Sequence, residues 1–349
     1  MADSPIRPPT IEDIAKRIGV SKSAVSLALN NKPGISQKLR QSILETAQEI
    51  GYSLPESRQQ SSILQRKSIA VVHQIGEEPF NDIYGFFITI LNGIRTFTQQ
   101  ANINLTVIGG YRKGDLNRLG EHILNDKNNP LDGLILMGPG VKRESQLLRQ
   151  TIEKQVPLVV LSRNWPDMPI STVGQDHQQQ SQIALDHLIE LGHRKIAFLA
   201  GIKDQQYDWF DTRLKCYQEK MAQINSEEYD KIIIFDDDGT QAVKQLLAKQ
   251  PDITAIFAIH DRLAVEVMVE LKEHGVKVPE DISVIGLDDS EQIPEGCPEL
   301  TTVGFPHFDV GYLATELLYK QMNNANIFYS NILVRSKLIK RSSCYALNK

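Results

Sequence analysis

The chain has 349 residues, 41% of them hydrophobic, which suits packed domains and exceeds what one ordinary core holds. Its 38 basic and 43 acidic residues leave a net charge of −5, which taken whole argues against a nucleic-acid partner. No apolar run is long enough to span a bilayer, and the opening MADSPIRPPTIEDIAKRIGV lacks an apolar signal-peptide centre, so a cytoplasmic protein outside the membrane is expected. Cys216, Cys297 and Cys344 are too few and too scattered for a disulfide framework or a zinc site.

The charge is uneven. Residues 1–67 hold ten Lys or Arg against six Asp or Glu, a net of +4, and the rest of the chain carries −9. A mildly basic head therefore precedes an acidic body.

Residues 10–52 read as three short helices. Thr10 with Asp13 three places on is a capping signal, and Ile11, Ile14, Ala15 and Ile18 form one stripe that stops at Gly19. Ser21 caps a second helix that turns Val25, Ala28 and Leu29 inward and Ser23, Ser26, Leu27 and Asn30 outward. Ser36 caps a third, with Leu39, Ile43, Ala47 and Ile50 inward and Gly51 at its end. The first two have the dimensions of a helix-turn-helix, a pattern shared by DNA-binding heads and by small structural bundles. The polar stretch 53–67, SLPESRQQSSILQRK, reads as a linker.

From Ser68 onward, apolar runs alternate with helix-length segments: IAVV at 69–72, LTVI at 105–108, LILM at 134–137 and LVVL at 158–161, then IAFLA at 196–200, IIIF at 232–235, AIFAI at 255–259 and ISVIGL at 282–287. Unbroken apolar strands joined by crossover helices specify parallel sheets covered on both faces. A polar break at 163–168 divides the runs into two doubly wound subdomains.

TIEDIAKRIGVSKSAVSLALNNKPGISQKLRQSILETAQEIGY resembles the amino-terminal DNA-binding region of the LacI/GalR family of bacterial transcription regulators. LIELGHRKIAFLAG at 188–201, TRLKCYQEKM at 212–221 and VPEDISVIGLDDSEQIPEGCPELTTVGFP at 278–306 resemble that family's effector-binding core in the same order. The resemblance implies a multidomain α and α/β protein. A three-helix DNA-binding domain (1–52) and a hinge or linker (53–67) would precede a periplasmic-binding-protein-like core of two doubly wound parallel-sheet subdomains, formed by 68–164 with 304–334 and by 165–303 with 335–349.

By the same resemblance, Lys22, Ser23 and Leu27 face bases, and Thr10, Ser21, Asn30, Ser36 and Arg40 face phosphates. Leu27 departs from the family, where arginine reads guanine bidentately; leucine offers apolar contact, with a thymine methyl or with a neighbouring helix. The family's hinge wedges a leucine into the minor groove, but here Ser61 holds that position. Leu64, three places later, is the candidate wedge, and a simple tether is the alternative.

For the effector cleft, the matching positions are Phe80, Asn81, Tyr84, Arg163, Asp176, Arg213, His260, Asp261 and Asp288, with Trp209 and Phe210 as stacking candidates. His260 stands where asparagine is usual and Leu287 where an aromatic is usual. Carboxylate and guanidinium groups beside an aromatic face suit sugar hydroxyls, and Asp288 with Arg213 is the leading pair.

Other features read as structural. Asp236, Asp237 and Asp238 lack the later glutamate of a calcium loop and are expected to cap a helix. Gly138, Gly140 and Gly174 make no dinucleotide fingerprint, and His187 and His193 are not spaced as a zinc pair. No metal, cofactor or catalytic set is expected. The chain thus reads as a homodimeric repressor whose affinity for double-stranded operator DNA is switched by a carbohydrate effector. A periplasmic-type solute-binding protein and an enzyme on the same scaffold are the alternatives.

Overall fold

In a computed structural model of the chain, the apolar runs form strands of two parallel sheets. The structure describes residues 9–29, 34–50, 52, 66–74, 84–111, 122–126, 130–138, 141–224, 231–235, 239–249, 252–289, 293–324 and 329–347. They belong to two units, residues 1–66 and 67–349.

The first unit holds α1 (Ile11–Ile18), α2 (Lys22–Leu29) and α3 (Gln37–Glu49). Each helix is too short to hide its own stripe, so the three share one core of Ile14, Ala15, Val25, Ala28, Ile43 and Ala47. Asp13 Oδ2 accepts from the Thr10 amide at 2.7 Å and from its hydroxyl at 2.6 Å, closing the start of α1. Gly19, with φ at 77°, ends the helix in a left-handed turn that a Cβ would strain.

In the second unit the strands are β1 (Ser68–Gln74), β2 (Asn104–Tyr111), β3 (Gly133–Met137), β4 (Leu158–Leu161), β5 (Ser171–Gln175), β6 (Ile196–Gly201), β7 (Lys231–Phe235), β8 (Ala255–Ala258), β9 (Ser283–Asp288), β10 (Thr301–Gly304), β11 (Asn331–Val334) and β12 (Lys337–Ile339). One sheet runs β2-β1-β3-β4-β5-β11 and the other β7-β6-β8-β9-β10-β12. All pairs are parallel except β10 with β12. Side chains alternate across the first sheet: Ile69 and Val71 join one buried cluster, Ala70 and Val72 the other.

Helices α4 (Tyr84–Gln100), α5 (Gln146–Glu153) and α10 (His307–Met322) accompany the first sheet, and α6 (His177–Glu190), α7 (Asp208–Gln223), α8 (Gly239–Lys249) and α9 (Asp261–Glu273) the second. Glycines let α4 and α10 meet backbone to backbone. A Cβ on Gly93 would stand 2.0 Å from the Phe308 carbonyl oxygen, and one on Gly311 2.0 Å from that of Ile90.

The first crossing between subdomains lies later than the boundary at 164 and 165. β5 pairs in parallel with β4 and with β11, so residues up to Gln175 complete the first sheet and the chain passes over at Asp176. The polar break at 163–168 is a connection within the first subdomain. The segment STVGQ is hidden from an apolar-run search because its buried positions include Ser171 and Thr172, whose hydroxyls find partners in Gln321 and Asn331. The later crossings, between β10 and α10 and between β11 and β12, lie next to the expected 303–304 and 334–335.

Candidate functional site

In the head, Ser21 and Ser36 are exposed helix caps: Ser21 Oγ accepts from the Ala24 amide at 3.1 Å and Ser36 Oγ from the Leu39 amide at 3.3 Å. Each hydroxyl proton remains able to reach a phosphate. Lys22 and Ser23 are exposed at the start of α2, and Lys22 Nζ lies 2.8 Å from Glu12 Oε2. Such an exposed ion pair is weak and yields readily to a phosphate. Leu27 is half-buried, and a Cβ on Gly34 would lie 3.3 Å from its Cδ1.

Arg40 Nη1 donates to the carbonyls of Leu27 at 3.1 Å and Ala28 at 3.2 Å. These are orphan carbonyls at the end of α2, where a cation also complements the helix dipole. Arg40 therefore braces α2 from α3, a role beyond the expected phosphate contact. Thr10 is tied to Asp13. Asn30 and Leu64 lie outside the described residues.

In the core, Asp288 ends β9 where the two subdomains meet. Its Oδ1 accepts from Gln175 Nε2 and Gln180 Nε2, both at 3.1 Å, and from Arg213 Nη2 at 3.2 Å. Gln175 closes the first sheet, whereas Gln180 and Arg213 stand on α6 and α7 of the second subdomain. The Asp288 carbonyl lies 3.1 Å from His307 Nε2, which opens α10 in the first subdomain. Asp288 has φ at 106°, an uncommon conformation for a residue with a side chain, and contacts from both subdomains hold it there.

Burial opposes ionisation of Asp288, but Arg213 and the Gln180 amide outweigh it and hold its pKa below the usual carboxylate value. Burial and Arg213 together drive the basicity of His177 down, so that it faces Arg213 as a neutral ring. The Arg213 side chain is 2% exposed, while Asp288 keeps 23% of its own. The carboxylate is thus the accessible face of the pair, and Arg213 supports it from behind. Arg213 also stacks on Trp209, 4.7 Å from ring centroid to guanidinium carbon, and Tyr207 lies against that indole at 5.2 Å.

His260 Nδ1 accepts from the Leu263 amide at 3.1 Å, which in the neutral ring places the proton on Nε2, 3.4 Å from Asp204 Oδ1. Asp204 is buried, which opposes its ionisation, yet the bonds from His260 and the Gly201 amide keep its pKa below the ordinary value. Trp209 meets the His260 ring edge-on at 6.4 Å.

Two expected cleft residues face elsewhere. Phe210 is buried edge-on to Phe198 in the second core, because the turn of α7 that brings Trp209 to the cleft carries the next residue inward. Asp261 is also buried, accepting from Thr302 Oγ1 at 2.7 Å beside Gly286, and so fastens α9 to its sheet. Arg163 is buried and donates to the carbonyls of Val141, Ser162 and Gly138. Asp176 caps α6 by accepting from the Gln179 amide at 2.9 Å. Phe80 and Asn81 lie outside the described residues, as does the Tyr84 side chain. Asp236, Asp237 and Asp238 also lie outside them; α8 starts at Gly239.

Gln175, Gln180, Asp204 and His307 carry much of this geometry and escaped the sequence reading. A glutamine in a polar helix start has no signature of its own; Gln175 and His307 reach Asp288 from the other subdomain, and Asp204 acts through His260. Among the described residues, no group of three or more His, Cys, Asp or Glu side chains is placed to hold a metal, and no helix is long and apolar enough to cross a membrane.

A family model described as bacterial regulatory proteins, lacI family, matches residues 10–54, and a periplasmic-binding-protein-like domain matches 185–344. The chain is 30% identical to the probable HTH-type transcriptional repressor ExuR of Bacillus subtilis strain 168 over 345 residues, covering 96% of this chain and 98% of that one. It is 25% identical to the ribose operon repressor of Haemophilus influenzae over 342 residues, covering 97% and 99%. A solved complex of the transcriptional regulator CelR with cellobiose superposes with a TM-score of 0.67 at 27% identity, covering 96% of this chain and 99% of that one. These relatives are transcription regulators rather than enzymes, and with one of them 30% identical over almost the whole chain, the protein belongs to the LacI family of bacterial regulatory proteins.

Proposed function

We propose that the chain is a cytoplasmic, homodimeric transcription repressor whose head, residues 1–52, binds operator DNA and whose core binds a carbohydrate effector between its subdomains. Residues 53–67 link the two. In the head, Lys22, Ser23 and Leu27 address the bases while Thr10, Ser21 and Ser36 address phosphates. Arg40 combines a phosphate contact with its brace on α2.

The observation that carries the effector reading is Asp288. One carboxylate oxygen is saturated by Gln175, Gln180 and Arg213, and the partly exposed group is held from both subdomains beside Trp209. A carboxylate next to an indole face suits a pyranose or furanose, whose hydroxyls donate and whose C–H face stacks. Relatives of this chain include a ribose operon repressor and a regulator solved with cellobiose, which supports the sugar class. A compound bound to Asp288 touches a group that both subdomains already grip, so binding favours one relative arrangement of them and thereby shifts operator affinity.

The test is selection of operators from a randomised duplex pool by the purified full chain at fixed salt, followed by retention assays with sugars, uronates, sugar phosphates and purines. A twofold-symmetric site whose retention changes with one sugar supports the proposal. No enriched site, or a site indifferent to every sugar, refutes it.

A further inference from the structure

We infer that Trp165 and Asp208 form a side-chain latch between the two core subdomains and that the latch positions the aromatic wall of the effector cleft. Trp165 lies between β4 and β5 and is buried in the first subdomain, where it packs in the cluster with Ala70, Val72 and Ile170. Asp208 is the first residue of α7 in the second. The indole Nε1 donates to Asp208 Oδ2 at 3.0 Å, so a side chain rooted in one core is bonded to a side chain carried by the other.

Charge favours the same closure. The guanidinium carbons of Arg143 and Arg163 lie 5.4 and 5.9 Å from the centroid of the Trp165 ring. Arg143 is itself held by both carboxylate oxygens of Asp167, at 2.6 and 3.0 Å. The lip of the first subdomain thus presents two fixed cations and an N–H donor to the Asp208 carboxylate; the bond to Asp167 raises the pKa of Arg143, with a smaller push from Asp208, whereas burial lowers that of Arg163 although Asp208 opposes it. Asp208 is exposed, and this bond ties the tip of α7 to the first subdomain.

The consequence for the cleft follows from adjacency. Trp209, next after Asp208, stacks with Tyr207 and lies against the Arg213 guanidinium. Fixing Asp208 fixes the first turn of α7 and with it the indole placed against a ligand. The part played in effector capture rests on the function proposed above; the latch itself does not.

The chain has two tryptophans, and both belong to this arrangement, which makes the test direct. The full chain labelled with fluorotryptophan gives two fluorine NMR resonances, and Trp165→Phe assigns them by leaving that of Trp209. No ligand or DNA is added, so failure of the effector reading cannot mask the result. In Asp208→Ala the Trp165 resonance is expected to move and to gain a solvent isotope shift, and the Trp209 resonance to move with it. Asp208→Asn, which keeps an acceptor oxygen and loses the charge, is expected to fall between the two and covers the case of a poorly folded alanine variant. A Trp165 resonance that stays in place in both variants, or one that moves without gaining solvent exposure, overturns the latch.

Discussion

Gln180 donates one amide proton to Asp288 Oδ1 at 3.1 Å and the other to the Val303 carbonyl at 2.9 Å, while its own oxygen accepts from Arg213 at 2.9 Å. All of its polar groups are used, and neither a flipped amide nor a carboxylate serves in its place. Gln180→Glu sets a second negative oxygen against Asp288 and against a carbonyl. The expected outcome is a loss of about 1–3 kcal/mol in chemical denaturation, with sugar binding weakened in titration calorimetry. Gln180→Leu at similar volume is expected to lose stability through the bonds to Asp288, Val303 and Arg213 that it removes.

Asp288→Asn keeps the shape and removes the charge. Arg213 is then a buried cation without its counter-ion, and a loss of about 3–5 kcal/mol is expected. The pH dependence carries a separate signature. Because the folded pKa of Asp288 is lowered, its stabilisation is complete above the carboxylate pKa of the unfolded chain and is lost as pH falls through the folded value. Urea midpoints measured down the acid limb should fall less steeply in Asp288→Asn than in the parent.

His73 gives a second pH effect in a milder window. Burial lowers its pKa to about 4, and its ring stacks on Phe87 at 4.2 Å. Between an unfolded value of about 6.5 and that of the folded ring, the unfolded chain binds more protons, so stability declines as pH falls through this range. His73→Phe keeps an aromatic stack and cannot titrate. Its melting temperature should change less between neutral and mildly acidic pH than that of the parent, which keeps the contribution of His73 along with those of the other buried histidines.

The proposed base-reading role of Leu27 can be tested on operator choice. The side chain is half-buried against Gly34, so it packs within the head and keeps part of its apolar surface exposed. Leu27→Arg is expected to impose a guanine preference of about 1–3 kcal/mol at one base of each half-site. Selection from a randomised pool reads this directly, and an unchanged preference would remove Leu27 from the base-reading face.

Gly93→Ala tests the contact of α4 with α10. The added Cβ would stand 2.0 Å from the Phe308 carbonyl oxygen, a backbone atom that cannot swing aside, so a loss of about 3 kcal/mol or more is expected. Gly109→Ala, whose Cβ meets nothing within 4 Å, is the control and should melt no lower than the parent.

The strands that could be read in advance are those with unbroken aliphatic runs, because only a strand covered on both faces needs one. β5, β10, β11 and β12 carry serine, threonine, lysine and asparagine and take their places through long-range partners, which no local pattern records. The three head helices were legible in their stripes and N-terminal caps, since both are local; Gly51, the expected end of the third, lies outside the described residues. In the cleft, the family resemblance marked Arg213 and Asp288. The glutamines that join them were invisible, because their meaning lies in the chain crossing at Asp176. Phe210 and Asp261 were misplaced for the opposite reason: proximity in sequence to cleft residues does not decide which way a helix turn faces.

The segment 331–347 supplies β11 to the first sheet and β12 to the second, and then lies along β9, with Ser343 Oγ bonded to the Val284 carbonyl at 2.6 Å and the Leu347 amide to that of Leu191 at 2.9 Å. During synthesis, therefore, neither core sheet is complete until residues 331–347 have left the ribosome, whereas the head needs only contacts within its first fifty or so residues. A nascent chain holds a folded reading head while its sensing half is still open. Removing residues 331–347 takes an edge strand from each sheet at once, so both lobes lose stability together.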